Sequence, residues 1–211
     1  MKVIAIHGSP RKQGNSYYAL TQVGNSLQAE GIDFEIVQVG NKFIQGCKAC
    51  GKCKENKDGK CVITDDVVND TLQKMREANG IVLSAPVYYS GIAGTMKCFL
   101  DRAFSVSAAN GGWFRHKVGA SVVAVRRTGG SMTFDGLNRY LAMEEMLIPS
   151  SNYLNIIHGL DTGDAEHDEE GIQIMQLLGK NMAWMLKMRE KTQKENIEPE
   201  AVEKIRTNFI R

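Results

Sequence analysis

Apolar positions recur along this chain with two alternating periods. Short runs rich in valine and isoleucine at Val3 to His7, Phe34 to Val39, Gly80 to Ser84, Val118 to Val125 and Tyr153 to His158 read as β-strands. Between them, apolar residues fall at helical spacing from Asn15 to Glu30, Asp65 to Asn79, Ala93 to Val106, Met132 to Met146 and Asp168 to Lys191. This alternation predicts an α/β fold, a doubly wound five-stranded parallel sheet with helices on both faces. Thr64 is the expected N-cap of the second helix, with Asp65 and Asp66 meeting the positive end of its dipole. In the last helix, Met175, Leu178, Met182, Trp184, Met185 and Met188 share a helical spacing that reads as packing. Residues 1–191 form the expected domain, with a cysteine-rich loop at 42–64. Residues 192–211 are polar and charged, and read as an extension with a short helix that packs on the domain or on a partner subunit.

Composition narrows the field. The chain has 211 residues, 43% hydrophobic, with a net charge of only +2, which suits one buried core and excludes a nonspecific nucleic-acid binder. No apolar run approaches the roughly 20 residues needed to cross a bilayer, so no membrane partner is expected. The start, Met1 to Ile6, runs straight into a glycine loop without a signal peptide's apolar region, which points to the cytoplasm. Thiols stay reduced there, so clustered cysteines read as ligands or redox groups rather than structural disulfides.

A doubly wound sheet binds ligands beyond the carboxyl ends of its strands, so the chemistry belongs in the strand-to-helix loops. The first loop, His7 to Ser16, offers free backbone amides at a helix start together with Ser9, Arg11, Gly14, Asn15 and Ser16, a set suited to a phosphate. Asn15 stands where a nucleoside triphosphatase loop needs lysine, and Gly40 and Asn41 stand where a dinucleotide-binding strand needs an acidic residue. The loop also lacks the cysteine of a phosphatase. The second loop holds Pro86, Val87, Tyr88, Tyr89, Ser90 and Gly91, where a flat heteroaromatic ring could lie along the backbone. The third, after Arg126 and Arg127, holds Thr128, Gly129 and Gly130, which allow close main-chain approach to a ring edge. Together the three loops describe a flavin mononucleotide pocket.

Cys47, Cys50, Cys53 and Cys61 fall within fifteen residues, with Cys98 the only other cysteine. A C-x2-C-x2-C run brings three sulfurs together on a tightly turning backbone, which suits an iron-sulfur cube with a downstream fourth thiolate. Reduced cysteines without metal and a zinc site are the open alternatives. Repulsion among loose thiolates, and a glycine- and lysine-rich loop expected not to order itself alone, favour a bound metal. Six lysines between 42 and 60 against Glu55 and Asp58 leave that segment at net +4, which would offset an anionic cluster and attract an acidic electron donor. Cys98 reads as a core residue, and His7, His116, His158 and His167 show no ligand spacing.

The chain resembles the flavodoxin-like NADPH-dependent FMN reductase family, and within it the iron-sulfur flavoproteins. The resemblance covers about 1–189 and is carried by Gly8 to Arg11, Gly14 to Ser16, Asp65-Asp66, Ala85 to Tyr88, Lys97 to Arg102, Gly129-Gly130 and Leu178 to Met182. It implies strand order 2-1-3-4-5, FMN phosphate held by Ser9, Arg11, Asn15 and Ser16, its ring held by residues 86–91 and 128–130, and, in some relatives, a [4Fe-4S] cluster on the compact cysteine motif.

The expected activity is flavin-dependent oxidoreduction, the chemistry residing on FMN and no side chain acting as catalytic base. Electrons from a ferredoxin-like donor would pass through the cluster to FMN and on to a small acceptor. One alternative takes hydride directly from NAD(P)H to reduce a quinone or flavin without a cluster, and another is a cysteine-based redox sensor. Flavin pockets in this family commonly lie near subunit contacts, which implies a homodimer or homotetramer, with Trp113 and Phe114 as contributors.

Overall fold

The computed structural model describes residues 1–205, 207 and 209. The last five residues of strand β1 (Lys2–His7) are buried, as a central parallel strand covered on both faces requires. It pairs in parallel with β2 (Asp33–Gln38) on one side and β3 (Gly80–Tyr88) on the other. β3 pairs in turn with β5 (Val118–Val125), and β5 with the edge strand β6 (Ile156–His158), again in parallel. The parallel order β2-β1-β3-β5-β6 is 2-1-3-4-5 when those five strands are counted alone. The remaining strand, β4 (Gly91–Ile92), pairs with β3 antiparallel as a hairpin.

Alternate residues of each strand serve opposite layers. Val3, Ala5, Val82, Ala120 and Val122 pack beneath α1 (Asn15–Ala29) and α6 (Glu169–Lys194), where Leu20, Val23, Leu178 and Met182 meet them. Ile4, Ile6, Ile81, Leu83 and Val123 face α3 (Val68–Glu77), α4 (Gly94–Ala109) and α5 (Gly130–Met143), against Leu72, Phe99, Leu100 and Leu137. Each of these side chains larger than alanine contributes about 1.5–3 kcal/mol by leaving water, so both layers hold the loops at the sheet's carboxyl edge. A five-residue helix, α2 (Lys52–Asn56), interrupts the cysteine loop, and a 3-10 turn (Asp164–His167) precedes α6.

Several sequence expectations need correction. α3 starts at Val68 rather than Asp65, and its N-cap is Val67, without a side-chain cap from Thr64. Asp66 accounts for the shift, since it accepts the Val68 N–H at 3.1 Å and pairs with Arg102, holding the chain out of helix. The fifth parallel strand begins at Ile156, because Tyr153 and Leu154 stand exposed beyond the edge of β5. Trp184 is 64% exposed and lies outside the core that receives Met175 and Met182. Phe114 is fully buried against Phe104 in its own domain and so is not free to reach a partner, whereas Trp113 is half-buried beneath the Arg76 guanidinium. No short helix forms among the described residues after Lys194; instead the carbonyls of Pro199 and Glu200 each accept from Arg115 at 3.0 Å.

Candidate functional site

Three loops at the carboxyl edge converge on a cavity of about 180 Å³ lined by Ser9, Arg11, Asn15, Ser16, Pro86, Val87, Tyr88 and Arg126. α1 begins after Gly14 without a side-chain cap, and its first two residues, Asn15 and Ser16, whose amides have no intrahelical partner, line the cavity. Ser9, Asn15 and Ser16 are all buried there, and Ser9 Oγ accepts the Arg11 N–H at 3.2 Å, shaping the loop. Arg11 reaches across to donate to the Leu160 carbonyl at 3.1 Å, which places two guanidiniums, Arg11 and Arg126, at one mouth. Amide donors and cations around a small concavity suit a phosphate. Beneath them His7 is fully buried with neither ring nitrogen bonded among the described residues, and burial pushes its imidazole down to about 4. It is therefore neutral at pH 7 and adds no charge to the site.

The second loop is a strand end and a hairpin. β3 continues through Pro86, paired with Ala124, to Tyr88, and Tyr89 and Ser90 form the turn with φ of 49° and 58°. Two successive non-glycine residues in the left-handed region store strain of order 1–3 kcal/mol each, and they turn both tyrosines outward. Tyr89 is fully exposed and Tyr88 half-exposed, which excludes a core role for either. The third loop folds onto the second. Gly129 has φ of +87°, and a Cβ there would stand 2.7 Å from Ser90 Cα, so only glycine permits the approach. Thr128, Gly129 and Gly130 line a separate cavity of about 450 Å³ with Tyr153, His158 and Asp168, so the structure divides the third loop between two openings.

Sequence reasoning passed over the loop after the fifth parallel strand. Gly159 and Leu160 line the phosphate-sized cavity, and a Cβ on Gly159 would meet Asn15 Nδ2 at 2.5 Å. A glycine directly after a strand was the available signal.

Cys47, Cys50, Cys53 and Cys61 line one cavity of about 280 Å³, closed by Ile63, Arg102 and Val106. All five cysteines of the chain are free, Cys47 and Cys50 exposed, the others half-buried. Burial pushes the Cys53 thiol above its ordinary pKa. Among the described residues, no three His, Cys, Asp or Glu side chains are grouped closely enough to hold a metal ion. Four cysteines brought to one cavity are the all-thiolate donor set that an iron-sulfur cluster takes, so the chemistry of the lining fits one. The loop is also tied to the domain beyond its helix. Gly59 donates to Asn110 at 3.1 Å and accepts from Gln73 at 3.2 Å, and Trp113 stacks against it. A further opening of about 670 Å³ between α4 and α5 touches Cys47 but none of the three flavin loops.

With this geometry in view, comparison with known proteins is decisive. Residues 1–161 match the family described as NADPH-dependent FMN reductase. The chain belongs to that family. It is 35% identical over 198 residues to an iron-sulfur flavoprotein of Methanocaldococcus jannaschii, covering 90% of this chain and all of that protein. It is 30% identical over 193 residues to an iron-sulfur flavoprotein of Methanosarcina thermophila, covering 90% of this chain and 98% of that one. Among solved structures it is similar to RosB with bound 8-demethyl-8-formylriboflavin-5'-phosphate, at TM-score 0.70 and 15% identity over all of this chain and 92% of that one. As a family member the chain is a flavin-dependent oxidoreductase of flavodoxin-like fold. Among the described residues no helix is long and apolar enough to cross a membrane.

Proposed function

We propose that this FMN reductase family member carries a [4Fe-4S] cluster on Cys47, Cys50, Cys53 and Cys61, takes electrons from a ferredoxin-like donor, and reduces a small acceptor at FMN. The observation that carries this reading is that one helix runs from the flavin loops to the cysteine cavity. α4 leaves the β3–β4 hairpin at the flavin loops and, two turns later, presents Arg102, Ser105 and Val106 to the four cysteines. From Gly94 to Arg102 the helix advances only about 12 Å. That both similar proteins are named iron-sulfur flavoproteins supports the same reading.

FMN exchanges one or two electrons and an iron-sulfur cluster one, so a chain holding both can convert between single and paired transfers. The residues supply binding and electrostatics. Ser9, Arg11, Gly14, Asn15 and Ser16, with Arg126, would neutralise and orient the phosphate. Residues 86–91 and 128–130 would frame the ring, the outward tyrosines covering it. The net +4 of residues 42–60 would draw an acidic donor protein to the cysteines. A homodimer or homotetramer would cover the exposed aromatic rim.

Protein purified without oxygen should contain about four iron and four sulfide per FMN. Flavin without iron would refute the cluster and leave the family's own donor, NAD(P)H, as the reading. Rapid mixing separates the donors: bleaching by reduced ferredoxin but not by NADPH is expected, and bleaching by NADPH alone would overturn the donor assignment.

A further inference from the structure

We propose that Arg102 is the positioning residue of the cysteine site, fixing the Cys61 sulfur as fourth ligand donor across the seven residues that separate it from Cys53. The inference rests on the cluster reading above and goes beyond it by assigning a role to a side chain outside the cysteine motif.

The Arg102 side chain is 0% exposed and that of its ion-pair partner Asp66 4%. An enclosed guanidinium survives only if its donors are met, and here the fork is spent in three directions. Nε donates to Cys61 Sγ at 3.3 Å, Nη2 donates to the Ile63 carbonyl at 2.7 Å, and Nη1 donates to the Gln45 carbonyl at 3.3 Å and to the Asp66 carboxylate. Gln45 enters the cysteine loop, while Ile63 and Asp66 leave it, so one side chain joins both ends of the segment to the middle of α4.

Cys61 is held a second time, through its backbone. Its N–H donates to Asn69 Oδ1 at 2.8 Å, and Asn69 Nδ2 donates back to its carbonyl at 2.9 Å. A cysteine in irregular chain thereby has both main chain and sulfur fixed, whereas Cys47 and Cys50 stand exposed. A plain structural ion pair would account for the Nη1 contact with Asp66 alone. It leaves unexplained why Nε is aimed at sulfur, the contact by which outer groups orient metal ligands and set cluster potentials. Lysine could not replace it, since one ammonium cannot span sulfur, carboxylate and two carbonyls.

The test removes the buried charges as a pair, Arg102→Gln with Asp66→Asn, so that no lone ion is left inside. In the iron-free full chain at one fixed pH, the rate of Cys61 alkylation, mapped by mass spectrometry, should differ about tenfold from wild type, the factor that loss of one charge-assisted hydrogen bond implies. Cys47 and Cys50 should label at unchanged rates. In the iron-loaded chain the cluster potential should fall, because an N–H donor that stabilised the more negative reduced state is gone. A second measurement needs no change at Arg102: in chain labelled with 15N-arginine, the Arg102 Nε–H should exchange slowly with solvent and should shift in Cys61→Ala. A folded, FMN-binding double variant with unaltered Cys61 labelling, or an Nε signal indifferent to Cys61→Ala, would overturn the proposal. Absence of iron and sulfide from wild-type protein would instead refute the cluster reading, leaving labelling and Nε–H exchange to judge Arg102 alone.

Discussion

Replacing His7 with leucine should flatten the acid side of the stability profile. His7 is fully buried with both ring nitrogens unbonded among the described residues, and its imidazole is pushed from 6.5 down to about 4 by burial. The unfolded chain therefore binds a proton more readily than the folded one between those values, and stability falls as pH drops through that window. With those two values the loss between pH 7 and pH 5 is about 2 kcal/mol, approaching about 3 kcal/mol near pH 4. Leucine at this position cannot charge. Denaturant unfolding of wild type and His7→Leu at pH 7 and pH 5, at equal cofactor content, isolates the contribution, since other titrating groups cancel between the proteins. The variant should lose about 2 kcal/mol less than wild type over that interval, and at pH 7 it should be no less stable, because two unsatisfied polar atoms are gone. Equal losses in the two proteins would show that the ring is solvated or bonded, and would refute the reasoning.

Other substitutions separate the parts of the account. Gly129→Ala should cost about 1–3 kcal/mol, from a left-handed φ and a Cβ too close to Ser90, and should weaken FMN binding as the second and third loops part; fluorescence titration with unchanged affinity would contradict the packed-loop geometry. Lys117→Met should destabilise by about 2 kcal/mol, since its ammonium donates to the carbonyls of Met75, Arg76 and Ala78 at the end of α3. Burial also lowers the Lys117 pKa to about 8, so the cost of its buried charge disappears as pH rises from there toward 10.5, and wild type should gain stability relative to the variant across that range. Cys50→Ser should abolish bound iron while leaving FMN content intact, checked by metal and flavin analysis of the same sample.

Much of the sheet was legible because burial on both faces writes itself as nearly continuous runs of valine, isoleucine and small residues, as in β1 and β5. Pro86 misled the boundary of β3, since proline lacks a ladder donor. It is tolerated because β1 ends at His7 opposite Ser84, leaving β3 with β5 as its only parallel neighbour beyond that point. The hairpin turn at Tyr89 and Ser90 was illegible for the opposite reason. Residues that disfavour positive φ hold it, and local preference yields to the packing of Gly129 against Ser90. The phosphate loop and the cysteine motif could be read as residue types at fixed spacing. Arg102 and Asn69 could not, because their contacts with Cys61 span 41 and 8 residues and depend on how α3 and α4 lie. Thr64 failed as a cap for the same tertiary reason, Asp66 being claimed by Arg102.

Titration of the flavin-free chain with FMN, followed by quenching of flavin fluorescence and repeated with Arg11→Ala, tests the central claim most directly. The account predicts saturable binding of one FMN per chain, with affinity falling at least about tenfold in the variant as a charged phosphate contact is lost. Riboflavin, which lacks the phosphate, should bind both proteins alike. Failure of the folded chain to bind FMN, or equal loss of riboflavin affinity in the variant, would contradict a phosphate seat built from residues 9 to 16.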